Sequence, residues 1–426
     1  MKVKENKKVF HSTTLLLALC WIVYTCSYLG KLGYNANITQ IEGAYGVSHS
    51  TAGVVSTFFF FAYGVGQVFN GIFCKKYNLR LVVFGSLLVS GLMNLLVGIV
   101  NSFTYIKFFW LLNGAALSVL WPSLIRLLSE TLDKKDIGRA VVVMGTTVAT
   151  GTFFVYGLSA LFVSLNVYKA MFILAGLLLP SIAGLWMISY PKLVKKQTEA
   201  SVEATQVQAQ KTQKASKTAK GGKARLGWLW MPIIALAFFA VVDNLVKDGL
   251  TAWVPVILKE QYKLPDSISI LLTMLLPILA IFGTAVAVTL RKKIKDFVML
   301  CSVLFWVSLL SIGVVIVCLP TGWFIVTLVG FGVVSCLMAG VNNIITSMAP
   351  LYWKEKVNSG LLAGILNGFC YMGSTLSMYG LGLVADMGGW NAVFWLLFSL
   401  CAAAVAVAIV CSAINIIRGM KRRKVK

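Results

Sequence analysis

Charge is scarce in this 426-residue chain, and acidic charge is scarcest: 12% of its residues are charged, and only 14 are Asp or Glu. Water-soluble domains run nearer one-quarter charged, which excludes a soluble fold. Histidine is almost missing. His11 and His49 are the two present; they stand near the ends of apolar runs, and no metal site is expected. The nine cysteines lie singly in apolar runs, without the paired spacing of a disulfide framework or a metal site, and read as small core residues. Also missing are a phosphate-binding loop, a nucleophile elbow and paired catalytic carboxylates. Nothing therefore argues for an enzyme or a cofactor. The first apolar run is too long for a secretory leader and has no small-residue cleavage site, so none is expected.

What is present is apolar length: 58% of the residues are hydrophobic. About 20 apolar residues in a helix cross the ~30 Å hydrocarbon core. Such runs start near Thr13, Ser50, Leu81, Tyr105, Ala140 and Tyr168, and again near Trp228, Ser267, Phe297, Gly322, Ser359 and Trp390. The expectation is an all-α membrane protein with 12 transmembrane helices. One six-helix half spans residues 1–191 and a second spans 228–426, with a linker over 192–227 between them. The linker is rich in Lys, Gln, Ala, Thr and Ser and lacks the apolar surface to offset ordering, so it reads as disordered.

The net charge of +24 is distributed by side, which argues against a nucleic-acid partner. If the ends and alternate loops lie on one side, that side holds 31 of the 38 Lys and Arg. The opposite loops hold Lys107, Lys169, Lys259 and Lys263. The positive-inside rule then puts both termini in the cytoplasm of a multi-pass protein of the cell (inner) membrane. Anionic lipid heads are the natural surroundings of the basic side.

Three cations fall within the helices themselves: Lys31, Arg126 and Lys247. Two of them repeat. Lys31-Leu32-Gly33 and Lys247-Asp248-Gly249 lie at matching depths in the first helix of each half, with Tyr45 and Tyr262 following at 14 and 15 residues. Basic loops "KKYNLR" and "RKKIKD" follow the second helix of each half. Such a repeat about an axis along the membrane normal is the layout of major facilitator transporters, with the substrate site between the halves near the midplane. A lysine in a membrane helix costs ~2.5–3.5 kcal/mol on insertion scales. Either Lys31 snorkels to the outer interface, or the two lysines face a shared cavity and attract an anion. Asp243, four residues before Lys247, reads either as its neutralising partner or as a proton carrier. Asp248 is expected to point elsewhere. Gln67, Asn343 and Tyr371 suggest a polar lumen, Trp121 beside Pro122 a kink or a cavity wall, and Arg126 with Glu130 a gate or a stabilising pair.

The stretches "YLGKLGYN", "FFFFAYGVGQVFNG", "WPSLIRLLSE", "WVPVILKE" and "VADMGGWNAVF" resemble the organophosphate:phosphate antiporter family of the major facilitator superfamily. Its members carry glycerol-3-phosphate and hexose phosphates in exchange for inorganic phosphate. The resemblance implies that Lys31 and Lys247 stand where that family has an arginine pair clamping the substrate phosphate. It also puts Gln67 where glycerol-phosphate members carry a lysine, Thr147 or Val148 at the place of a histidine, and Lys75 in place of an acidic loop residue. Lysine keeps the charge without arginine's bidentate fork. The reading is a monomeric secondary transporter of a small organic anion, organophosphate or carboxylate. The alternatives are a proton-coupled carrier or exporter of a neutral or zwitterionic solute, and a sensor that does not transport.

Overall fold

The computed structural model describes residues 2–73, 77–132, 134–209, 230–353, 357 and 359–423. No water reaches the peptide groups in hydrocarbon, so each apolar run must bond its own backbone, and helices result. The first half comprises α1 (Lys2–Ala36), α2 (Ile38–Tyr45), α3 (His49–Phe73), α4 (Leu79–Ile99), α5 (Phe103–Leu117), α6 (Leu120–Thr131), α7 (Lys134–Ser164) and α8 (Ala170–Ala209). The second comprises α9 (Trp230–Tyr262), α10 (Asp266–Thr273), α11 (Leu275–Lys293), α12 (Phe297–Cys318), α13 (Phe324–Asn343), α14 (Ala349–Tyr352) and α15 (Ser359–Arg423).

Ten described stretches are long and apolar enough to cross a membrane. One of them, Leu362–Ile414, has 53 residues. As a single helix it would run about 80 Å, far beyond a bilayer core. It breaks at Gly389, whose φ of 70° lies in the left-handed region that glycine enters without penalty. That makes two spans, and α9 supplies the twelfth. The halves share an irregularity: the fourth span breaks between α5 and α6, and the tenth between α13 and α14, through a π-helical turn at Ile344–Met348.

At the linker the structure departs from the expectation. α8 continues to Ala209, so residues 192–209 are helical; the remainder of the expected linker, and Lys75, lie outside the described residues. Polarity argues against burial, but this stretch has no glycine and, after Pro191, no proline, and Lys, Gln, Glu and Ala all extend a helix readily.

The halves meet closely at the end opposite the chain termini, here called the far end. A Cβ on Gly53 of α3 would fall 2.3 Å from the Met378 carbonyl oxygen of α15. His49 of α3 bridges the halves through Nδ1 to Glu42 Oε1 at 2.9 Å and Nε2 to Glu260 Oε1 at 3.4 Å. Trp390 Nε1 donates to Glu260 Oε2 at 2.7 Å. Asp386 of α15 accepts the backbone N–H groups of His49 and Ser50 at 3.0 and 2.9 Å. It thus caps α3 from the other half, where a carboxylate also suits the helix dipole. Burial pushes the Glu42 carboxyl above the ordinary carboxylate range, and its hydrogen bond to His49 offsets part of that.

A side chain at Gly53 should therefore wedge the far end apart. Gly53→Val is expected to lengthen spin-label distances between the halves at that end. Gly114→Val is the control, because its Cβ would strike the Phe59 carbonyl oxygen at 2.3 Å within one half. It should leave those distances unchanged and lower thermal stability by about 1–3 kcal/mol, as overpacking does. Glu42 holds its proton more tightly in the closed end than in water, so its contribution to closure is full at acid pH and fades as pH rises through its raised pKa. In Glu42→Gln that part of the pH dependence should vanish from the same distance measurement.

Candidate functional site

The site starts from one face of α1. Tyr24, Tyr28 and Lys31 stand four and three residues apart, the spacing that brings helical side chains together. Lys31 Nζ lies 4.5 Å from the Tyr63 ring centroid, 5.4 Å from that of Tyr28 and 5.8 Å from that of Tyr371. Tyr63 and Tyr371 pack at 4.8 Å, Tyr24 and Tyr28 at 5.6 Å, and Tyr24 and Trp121 at 4.6 Å. Rings from α1, α3 and α15 thus form a cage around one ammonium group, and Trp121 of α6 packs behind it against Tyr24. Aromatic faces attract cations through their quadrupoles.

The depth of this cage is read along two helices. Tyr63 lies 14 residues down α3 from His49, about 21 Å at the helical rise. Tyr371 lies 15 residues from Asp386 in α15, about 22 Å. The Lys31 amine is therefore deep in the bundle and not at the far interface.

The second lysine is held differently. Lys247 Nζ donates to Asn244 Oδ1 at 3.1 Å and pairs with Asp248 Oδ1 at 3.6 Å. Asp248 Oδ2 in turn accepts from the Ser374 hydroxyl of α15 at 2.5 Å. Neighbouring residues on a helix normally diverge; here Ser374 draws Asp248 inward and the long lysine reaches back to it. The expectation that Asp248 points elsewhere is corrected accordingly. Asp243 is fully buried, and its Oδ2 accepts from Asn244 Nδ2 at 3.1 Å and Asn342 Nδ2 at 3.2 Å. Its Oδ1 has no hydrogen-bond partner.

The two lysines share surroundings. Tyr28 is within electrostatic range of both Lys31 and Lys247, and Lys31 is within range of Asp248. Nearby, Tyr156 of α7 donates to the Thr251 carbonyl of α9 at 2.8 Å, joining the halves.

Other sequence candidates fall around this centre or away from it. Gln67 Nε2 donates to the Ser118 carbonyl at 3.0 Å, at the break between α5 and α6. Asn343 precedes the π-helical turn, and it is its neighbour Asn342 that reaches Asp243. Arg126 Nε donates to Glu130 Oε1 at 2.7 Å, and Arg126 Nη1 to the Tyr77 carbonyl at 3.3 Å, toward the end that carries the termini. Tyr24, Tyr28, Asn244 and Ser374 were not anticipated as site residues. The Tyr24–Tyr28–Lys31 spacing was the available signal for the first two; nothing in the sequence marked Ser374.

The description of the Major Facilitator Superfamily matches residues 20–359. The chain is 23% identical over 399 residues to a probable hexose phosphate transport protein of Chlamydia pneumoniae, covering 88% of this chain and 85% of that one. It is 27% identical over 123 residues to the membrane sensor protein UhpC of Escherichia coli (strain K12), covering 29% of this chain and 28% of that one. In structure it is similar to a bacterial homologue of the human lysosomal transporter Spinster, with a TM-score of 0.71 and 12% identity over 94% of this chain and 97% of the other. That likeness concerns the fold.

The aromatic cage makes a direct prediction. Tyr63→Phe keeps a ring face under the Lys31 amine and should leave thermal stability close to wild type. Tyr63→Leu removes it and should lower stability by about 0.5–2 kcal/mol, the range of a cation–π contact, read from melting curves in detergent. Equal melting of the two variants would show that the ring face is irrelevant to Lys31.

Proposed function

The chain belongs to the Major Facilitator Superfamily, and from that premise we propose that it carries a small organic anion, an organophosphate or a carboxylate, across the membrane by alternating access. The observation that supports this reading most is the placement of two ammonium groups inside the bundle, Lys31 on α1 among three tyrosine rings and Lys247 on α9 beside Asn244 and Asp248. Each sits on the first helix of its half. An ammonium solvated by ring faces keeps its charge without being neutralised, so Lys31 remains available to an anionic group. Tyr371 and Trp121 would shape the rest of the pocket, with Gln67 and Asn343 farther off, and Arg126 with Glu130 would gate the end near the termini. Similarity to a probable hexose phosphate transport protein favours a phosphorylated substrate. The charge asymmetry supports a cytoplasmic position for the basic end and both termini, and the reading is of a monomer in the cell membrane with anionic lipid beside its basic end.

A second reading is a sensor that binds the same anion without moving it; similarity to a membrane sensor protein over 123 residues favours it. Uptake of labelled hexose phosphate into proteoliposomes separates the two, since a sensor binds and does not accumulate.

Replacing either Lys31 or Lys247 by Gln should weaken anion binding by about 1–3 kcal/mol, the range for losing a charge-assisted hydrogen bond. The double variant should lose less than the sum, because two groups on one ligand are coupled. Arg at both positions should be tolerated and should favour phosphate over carboxylate. Titration calorimetry with glucose 6-phosphate checks this; strictly additive, negligible losses would remove the two-lysine site.

A further inference from the structure

Asp243 has no task in the anion site described above. Among the described residues it is the charged side chain that is fully buried, at 0% exposure. An ionised carboxylate offers about four acceptor positions. Here both donors, the Asn244 and Asn342 amides, converge on Oδ2, and Oδ1 is enclosed and unpartnered. Lys247, the nearby cation, spends its direct contacts on Asn244 and Asp248. Asp243 is therefore not the hydrogen-bonded counter-ion of Lys247: two amides hold its Oδ2, and the ammonium acts on it only through its field. The charged and titratable groups facing it are Lys247 and Asp248 on its own helix, Cys370 and Cys401 on α15, and Cys301 on α12. Of these, only Lys247 carries positive charge.

The charges around the centre balance, with Lys31 and Lys247 against Asp243 and Asp248. An anion that engages Lys247 upsets this balance. It brings negative charge next to a carboxylate that is already poorly solvated, and it competes for the one cation that favours ionisation there. Burial penalises the charged form of such a group. We propose that Asp243 is a proton-binding site linked to anion occupancy: a proton from the aqueous side adds to the free Oδ1, giving the neutral carboxylic acid as the anion binds, and leaves when the anion leaves. No other bond changes. Binding linkage is reciprocal, so acid strengthens anion binding by the same factor by which the anion strengthens proton binding. The anion and a proton then cross together. This rests on the anion-carrier reading and specifies its driving ion.

The test is infrared difference spectroscopy on purified full-length protein, comparing acid and alkaline pH between about pH 5 and pH 8, a range in which solvated carboxylates stay ionised. A protonated-carboxyl band should titrate in the wild type and in Asp248→Asn, and should be lost in Asp243→Asn. Asn is nearly isosteric; retention of the band in Asp243→Glu guards against a folding artefact. Adding glucose 6-phosphate, or glucose 6-sulfate, whose own charge is constant in this range, should increase the band. Affinity for the sulfate should rise by up to about tenfold per pH unit of acidification, the limit for one linked proton. In Asp243→Asn it should be flat. Absence of an Asp243-dependent band overturns the proposal whatever binds. A titrating band that ignores a bound anion overturns the linkage and leaves the anion site standing. A titrating band with no binding of either probe overturns the anion reading, and the linkage with it.

Discussion

A charge cannot be left alone in a low-dielectric interior, and two lysines in this bundle face that constraint with opposite solutions. Lys31 is surrounded by the faces of Tyr28, Tyr63 and Tyr371. Lys247 is answered by Asn244 and the carboxylate of Asp248. Ring faces lower the cost of a buried cation and leave its net charge in place, whereas a carboxylate cancels it. The N-terminal half thus presents a net positive centre, and the C-terminal half an approximately neutral one with a buried acid behind it. Much of the surrounding architecture follows. The rings come from α1, α3 and α15, so Lys31 depends on packing across both halves. Ser374 must hold Asp248, and α15 must therefore stay against α9.

The fold was legible because hydrocarbon leaves few choices. Twelve apolar runs of membrane length and a one-sided distribution of Lys and Arg are enough to set the architecture, and the repeated Lys-x-Gly pointed to the halves. The extent of α8 was not legible, since polarity was read as disorder although residues 192–209 contain good helix formers and no breaker beyond Pro191. The same limit applies to the breaks at Ser118 and Ile344–Met348. Pro122 lies just inside α6 and Pro350 just inside α14, so each proline marks the neighbourhood of a break without fixing its place.

At the centre, spacing along one helix was readable and contact between helices was not. The partnership of Lys247 with Asp248 illustrates this. Helical geometry favours residues four apart, which pointed to Asp243. What decides is a serine 126 positions later in the chain, whose hydroxyl turns Asp248 toward the bundle. Asp243 is correspondingly released to the amide of Asn342. Likewise Asn342 and Asn343 are equivalent in sequence, and only the register of α13 against α9 selects the first.

The far-end closure and the central lysines are parts of one mechanical arrangement. α3 carries both His49, which bridges to Glu260 of α9, and Tyr63, which supports Lys31. α15 carries both Asp386, which caps α3, and Tyr371 of the cage. Separating the halves at the far end therefore moves α3 and α15 apart and pulls rings away from Lys31, so the amine loses its favourable surroundings unless something replaces them. Water would do so in an open conformation, whereas in the closed one the rings are in place and an anion shared with Lys247 would add to them. A ligand shifts a conformational equilibrium only through its unequal affinity for the two states. An anion that reaches both lysines meets this condition, because α1 and α9 belong to different halves and their separation changes as the halves rock. An anion bound in the proposed way would then favour the closed state through the two amines that hold it.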